Sequence, residues 1–164
     1  MRTLLIRRTI ALAVALVGSA VAQQAPPPVK TFASAADVAA MMAKAKTDRK
    51  ETQANFIQQI LQLAPYTTNL EYRAAVGPAS VHEKEAELFY VIDGSGSLTT
   101  GGKLVGETRN GENLSGTAIT GGSSRAVAKG DFFIVPEGTP HWFDKINGTL
   151  VLMSLHVPRT APAR

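Results

Sequence analysis

Gly130-Asp131-Phe132-Phe133-Ile134-Val135-Pro136-Glu137-Gly138-Thr139-Pro140-His141-Trp142 is the stretch on which the reading of this chain turns. A short apolar run ends on a proline–glycine–proline turn, and a histidine opens the next apolar segment. Pro136 and Pro140 hold φ near about −65°, while Gly138 is free to adopt conformations closed to other residues, so the turn is well defined. The segment therefore delivers His141 onto the strand that follows. Upstream, Ser80-Val81-His82-Glu83-Lys84-Glu85-Ala86-Glu87-Leu88-Phe89-Tyr90-Val91-Ile92-Asp93-Gly94 places His82 five residues ahead of Glu87. There the apolar run 87–92 meets Asp93-Gly94-Ser95-Gly96, which predicts a tight turn into the next strand.

Outward from these two frames the texture stays the same. From Leu70 on, short apolar runs alternate with glycine and turn pairs, the pattern of a small all-β fold. Strands are predicted over 70–76, 87–92, 97–100, 125–128, 131–135, 142–145 and 150–157. Asn147-Gly148 predicts a hairpin turn between the last two. The polar, glycine-rich 101–122 segment reads as a long hairpin excursion with Gly121-Gly122 as a turn. Along 150–157, His156 shares a face with Leu150, Leu152 and Ser154. That face either lines the interior or leaves His156 on the rim near the chain end.

Before Leu70 the period changes. Ser34 with Asp37 three residues on is a capping-box variant, and Val38, Met41, Met42 and Ala45 follow at helical spacing, ending near 46–50. A short helix or turn is predicted over 56–61, with Pro65 blocking continuation. Pro26-Pro27-Pro28 marks 23–31 as an extended tether. At the start, Arg2, Arg7 and Arg8 precede the apolar run Ile10 to Val17, and Ala20-Val21-Ala22 supplies small residues at a cleavage site, so 1–22 reads as an export signal. The run is shorter than the ~20 residues a bilayer core requires. Arg7-Arg8 leaves the route open between general secretion and twin-arginine export. The expected organisation is a signal peptide at 1–22, a tether at 23–31, a helical extension at 32–69, a barrel at 70–157 and a tail at 158–164.

Composition narrows the function. The 164 residues are 45% hydrophobic, enough for one domain with a core. The formal charge of +4 comes from 17 basic and 13 acidic residues; setting aside Arg2, Arg7 and Arg8 leaves it near neutral. That gives no basic stripe for nucleic acid. Cysteine is absent, which excludes disulfides, thiolate ligands and a cysteine nucleophile. After removal of the signal, no membrane-spanning segment is expected.

The two histidine frames resemble the paired motifs of the cupin superfamily, H-x-H-x(3,4)-E-x(6)-G and G-x(5)-P-x-G-x(2)-H-x(3)-N. The second matches at Gly130, Pro136, Gly138 and His141, the first at His82, Glu87 and Gly94. Ser80 stands where the first motif opens with histidine, and Lys145 where the second ends in asparagine. The resemblance covers roughly 70–157. It implies an all-β double-stranded β-helix, a cupin or jelly-roll barrel, here with a short N-terminal helical extension. It also implies a metal held by His82, Glu87 and His141.

Two neutral imidazoles and one carboxylate suit a divalent transition metal (Fe, Mn, Zn, Ni or Cu) and leave positions open for water, oxygen or substrate. The same two-histidine, one-carboxylate set is found in non-haem iron oxygenases. Ser80, Arg73 and His156 are candidates for substrate contact or support of the ligands, Arg73 for a carboxylate ligand. The leading expectation is an exported metal-binding cupin acting on, or binding, a small molecule. An enzyme of this kind would be a metal-dependent oxygenase or isomerase. The alternatives are a metal-free cupin that binds or senses a small molecule, with Glu87 hydrogen-bonded to the two histidines, and a structural cupin whose barrel faces form a homodimer.

Overall fold

The computed structural model describes residues 28–159. The expected signal peptide, the first part of the expected tether and the last residues of the expected tail lie outside them. The described residues form one helix, α1 (Ala35–Asp48), and eleven strands: β1 (Asn55–Leu63), β2 (Tyr66–Arg73), β3 (Ala79–His82), β4 (Glu85–Thr100), β5 (Lys103–Val105), β6 (Thr108–Asn110), β7 (Asn113–Gly116), β8 (Ala118–Thr120), β9 (Ser123–Ala128), β10 (Phe132–Val135) and β11 (His141–Pro158). Nine of the strands build the double-stranded β-helix that the two motifs implied, and β5 and β8 form a separate pair.

The capping box forms as its spacing predicts. Ser34 Oγ accepts from the Asp37 amide at 3.1 Å, and Asp37 Oδ2 accepts from the Ser34 amide at 2.8 Å. Both bonds satisfy amides that a helix start leaves unpaired. The apolar stripe of α1 then packs on the sheet: Ala45, fully buried, with Val38, Met41 and Met42 joins Ile60, Leu70, Tyr72 and Val151 in one cluster. A second cluster fills the barrel, built from Phe89, Val91, Leu98, Val127, Val135, Phe143, Leu150 and Leu152.

Four expectations are corrected. The helix or turn predicted at 56–61 is strand β1, paired antiparallel with β2 from Asn55↔Arg73 to Leu63↔Tyr66. A bulge between Gln59 and Leu61 offsets the alternation, which is why the apolar residues looked helical rather than period-two. Asn147-Gly148 is not a hairpin turn. It lies within β11, at an irregularity between Ile146 and Leu150, and the ladder with β4 continues on either side. Asp93-Gly94 likewise lies inside β4 rather than ending it. The two bends face each other, with Leu150 opposite Gly94. The 101–122 segment is more than a hairpin excursion, because β7 within it pairs with β3, a strand the sequence reading missed.

β4 and β11 therefore run side by side from Glu85↔Pro158 to Thr100↔His141. This ladder is the frame on which the rest is hung: β10 and β9 pair with β4, and β2 and β3 pair with β11. It also puts both ends of β11, His141 and His156, within reach of one cavity.

At the shared bend, Gly94 has φ +82 and a Cβ built there would stand 2.0 Å from the Thr149 carbonyl oxygen. Gly148 has φ +74 but open space around it. Gly94→Ala is expected to cost ~2–4 kcal/mol, since it meets both backbone strain and a clash. Gly148→Ala meets strain alone, ~1–2 kcal/mol. Urea unfolding of the two variants checks the order; equal losses would contradict the packed bend.

Candidate metal centre

His82 ends β3, Glu87 sits near the start of β4, and His141 opens β11. The turn read from Pro136 to Pro140 forms as expected. The Thr139 amide donates to the Pro136 carbonyl at 3.2 Å, with Gly138 at φ +69. The Gly138 amide donates to the His82 carbonyl at 2.8 Å, so the turn that delivers His141 is also tied to the strand end that carries His82. Trp142 Nε1 donates to the Gly77 carbonyl at 2.8 Å and pins the segment leading into β3.

Glu87 is the centre of the group. Its carboxylate is 3% exposed. Oε2 lies 3.3 Å from His82 Nε2 and 3.3 Å from His141 Nε2, and Oε1 lies 3.3 Å from His156 Nε2. The far side of each ring meets an acceptor. His82 Nδ1 lies 3.0 Å from Asn113 Oδ1, His141 Nδ1 3.2 Å from the Thr139 carbonyl, and His156 Nδ1 3.0 Å from Glu85 Oε2. With its proton on Nδ1 a neutral ring turns the Nε2 lone pair toward Glu87, open to a metal ion; with a proton on Nε2 it donates to Glu87 instead.

A buried carboxylate is costly unless it is paired, and positive charge among these atoms, supplied by protons or by a metal ion, offsets that cost. The ligand atoms of His82, Glu87 and His141 all lie within 4.8 Å of one another, close enough to share one ion. Imidazole nitrogens locked by hydrogen bonds on the opposite ring atom, with one carboxylate, fit a divalent first-row metal.

The other residues singled out in the sequence fall as follows. Ser80 is the register partner of His141 and lines the same cavity, of about 410 Å³. Arg73 lines it too, but its guanidinium is paired with Glu71 and stacked 4.5 Å over the Phe143 ring, so its charge is already answered. His156 is not a rim residue; its ring stands against Glu87. Glu83 and Lys84 lie between β3 and β4 and pair with Arg109 and Glu112. Glu85, at the start of β4, instead holds His156. Only the cross-strand register, which opposes His156 to Glu87, could have revealed it. A larger cavity of about 590 Å³ lies between α1 and the sheet, lined by side chains such as Phe32, Met42, Leu61 and Ile92, with no histidine or carboxylate. The chemistry belongs to the smaller one.

The field of the cluster shifts its members. For Glu87, burial favours the neutral acid, but the hydrogen bonds from His141, His156 and His82 outweigh it and hold the carboxyl far below its usual range. The hydrogen bond to Glu87 raises His156 to about 9 against the pull of burial, with the Glu87 and Glu85 charges adding to it. Burial works to lower His82, yet Glu87 and Asn113 carry it above the ordinary imidazole value.

These directions set a pH signature for the metal-free protein. A raised histidine stabilises the fold fully below its unfolded value of ~6.5, and that contribution is lost as pH rises through the folded value, about 9 for His156. Glu87 acts in the opposite sense: its contribution is present above the unfolded carboxyl range and is lost only as pH falls through its depressed folded value. The melting temperature of metal-free protein should therefore fall between pH ~6.5 and 9, and less so in His156→Ala. A flat profile over that range in the wild type would contradict the cluster electrostatics.

A family model described as Cupin matches residues 49–160. No curated protein sequence matches the chain. Among solved structures, Fe(II) HppE aligns with TM-score 0.51 and 13% identity, covering 66% of this chain and 54% of that one. TT1209 from Thermus thermophilus aligns with TM-score 0.48 and 16% identity over 68% of this chain and 90% of its own. A double-stranded β-helix protein from Klebsiella pneumoniae aligns with TM-score 0.47 and 17% identity over 69% and 84%. The chain spans about half the length of HppE, and at such identities the likeness is one of fold. With the family model matching most of its length, and both histidine frames meeting in one cavity, the chain belongs to the cupin family.

Proposed function

We propose that this chain is an exported cupin that holds a divalent transition metal through His82, Glu87 and His141 and acts there on a small polar molecule. The observation that carries the reading is the convergence of imidazole Nε2 atoms on one buried carboxylate. A metal ion shared by His82, Glu87 and His141 would answer the buried carboxylate and both imidazole nitrogens at once. HppE, which shares the fold, is an Fe(II) protein, and this agrees with a first-row ion here. Export rests on the basic, apolar and small-residue pattern of residues 1–22.

When bound, the ion would supply a Lewis acid or an oxygen-activating centre. The chain does the rest. Asn113 and the Thr139 carbonyl keep the His82 and His141 rings in one tautomer and one orientation. In the lining of the same cavity, Glu71 accepts from Asn55 Nδ2 at 3.1 Å and pairs with Arg73, forming a polar wall. Among the described residues, Asn55 Oδ1 and Arg73 Nε are buried without a hydrogen-bond partner. A wall of this kind favours a polar guest over a hydrocarbon one. Because Glu71 neutralises Arg73, the wall selects for hydrogen-bonding groups more than for net negative charge.

Elemental analysis of the purified full-length protein should find about one first-row metal per chain. Glu87→Gln and His141→Ala should each lower the affinity for added metal by ~100-fold or more, beyond the ~10–100-fold that loss of a supporting group costs. Wild-type protein that binds none of Fe(II), Mn(II), Ni(II), Cu(II) or Zn(II) would contradict the proposal and favour the metal-free binding module.

A further inference from the structure

The cupin motifs supply three ligands here because Ser80 replaces the first histidine, yet the cavity contains three imidazoles. His156 comes from neither motif. It lies near the far end of β11, and the β4–β11 register sets it directly opposite Glu87. Its Nε2 stands 3.3 Å from Glu87 Oε1, the oxygen that His82 and His141 leave free, since both of them face Oε2. Its ring meets that of His82 edge-on with centroids 4.9 Å apart. A second group of ligand atoms, from His82, Glu85 and His156, lies within 4.8 Å of one another and shares His82 with the first.

Glu85 gives His156 the arrangement that metal-bound histidines have. A ligating imidazole almost always donates its other N–H to a carboxylate, carbonyl or water, which fixes the tautomer and raises the basicity of the ligating nitrogen. Glu85 Oε2 accepts from His156 Nδ1 at 3.0 Å, as Asn113 and Thr139 serve the other two rings. Ser80, by contrast, is the cross-strand neighbour of His141 and offers only a short hydroxyl, a poor ligand for these ions.

We propose that His156, oriented by Glu85, is a fourth protein ligand of the metal, so that the last strand supplies the imidazole that the first motif lacks at Ser80. The proposal rests on the metal-binding reading above. It changes the donor set from two nitrogens and one oxygen to three and one. In an octahedral site it leaves two positions for exogenous molecules rather than three.

The chain contains three histidines in all, which makes the test a count. Untagged, 15N-labelled full-length protein is titrated with Zn(II), and the ring nitrogens are followed in long-range 1H–15N spectra. The expected result is that all three Nε2 resonances move to the metal-bound range and all three Nδ1 atoms stay protonated. Two bound rings with His156 still titrating freely would overturn the fourth ligand while leaving the three-ligand centre standing. No bound ring at all would overturn both. As a second measurement, Co(II) affinity is read by calorimetry in His156→Ala, with Ser80→His added to it as rescue. A loss of ~100-fold or more that the added histidine largely restores supports a ligand role, because a merely structural loss would not be repaired from another strand. Wild-type affinity in His156→Ala, beside abolished binding in His141→Ala, would overturn it.

Discussion

A carboxylate with almost no solvent contact, facing the Nε2 atoms of the rings around it, is the constraint on which the candidate site depends. Glu87 has given up its hydration, and what meets it instead is three imidazoles whose far nitrogens face Asn113, Thr139 and Glu85. Unpaired burial of that charge is prohibitively costly. Positive charge in the cluster offsets that cost. Protons supply it in the metal-free protein, where Glu87 raises both His156 and His82 above the ordinary imidazole value; a divalent ion replaces such protons with one doubly charged centre.

The barrel makes this possible through one long ladder. β4 and β11 together carry Glu85, Glu87, His141 and His156, so their relative register decides whether the ligands meet. The irregularities at Gly94 and Asn147-Gly148 bend the two strands together without parting them. β3 then brings His82 alongside, fixed by the Gly138 amide, whose turn also launches His141. Rigid strands rather than loops thus position all three rings and the carboxylate, and this kind of support is what a metal centre requires.

Much of this was legible in the sequence because the two motifs pack their information locally. Proline and glycine at 136, 138 and 140 specify a turn by backbone geometry alone, and the histidine–glutamate spacing from 82 to 87 survives as a strand end and the next strand's start. What was not legible depends on register. β1 was hidden because the bulge at Gln59/Leu61 destroys the period of two. Asn147-Gly148 has the chemistry of a hairpin turn, but it is only a kink, because β4 is long enough to pair on both sides of it. Glu85 and His156, distant in sequence, become a pair solely through strand alignment. No local pattern encodes that, and so one histidine and one glutamate of the site were undervalued.

The most direct test of the account is a crystal of the full-length protein grown with Zn(II) and measured at energies on either side of the zinc absorption edge. The account predicts one strong anomalous peak in the barrel cavity, about 2.0–2.2 Å from Glu87 and from the Nε2 atoms of His82 and His141. A cavity without a peak, or zinc bound only elsewhere on the molecule, would contradict it.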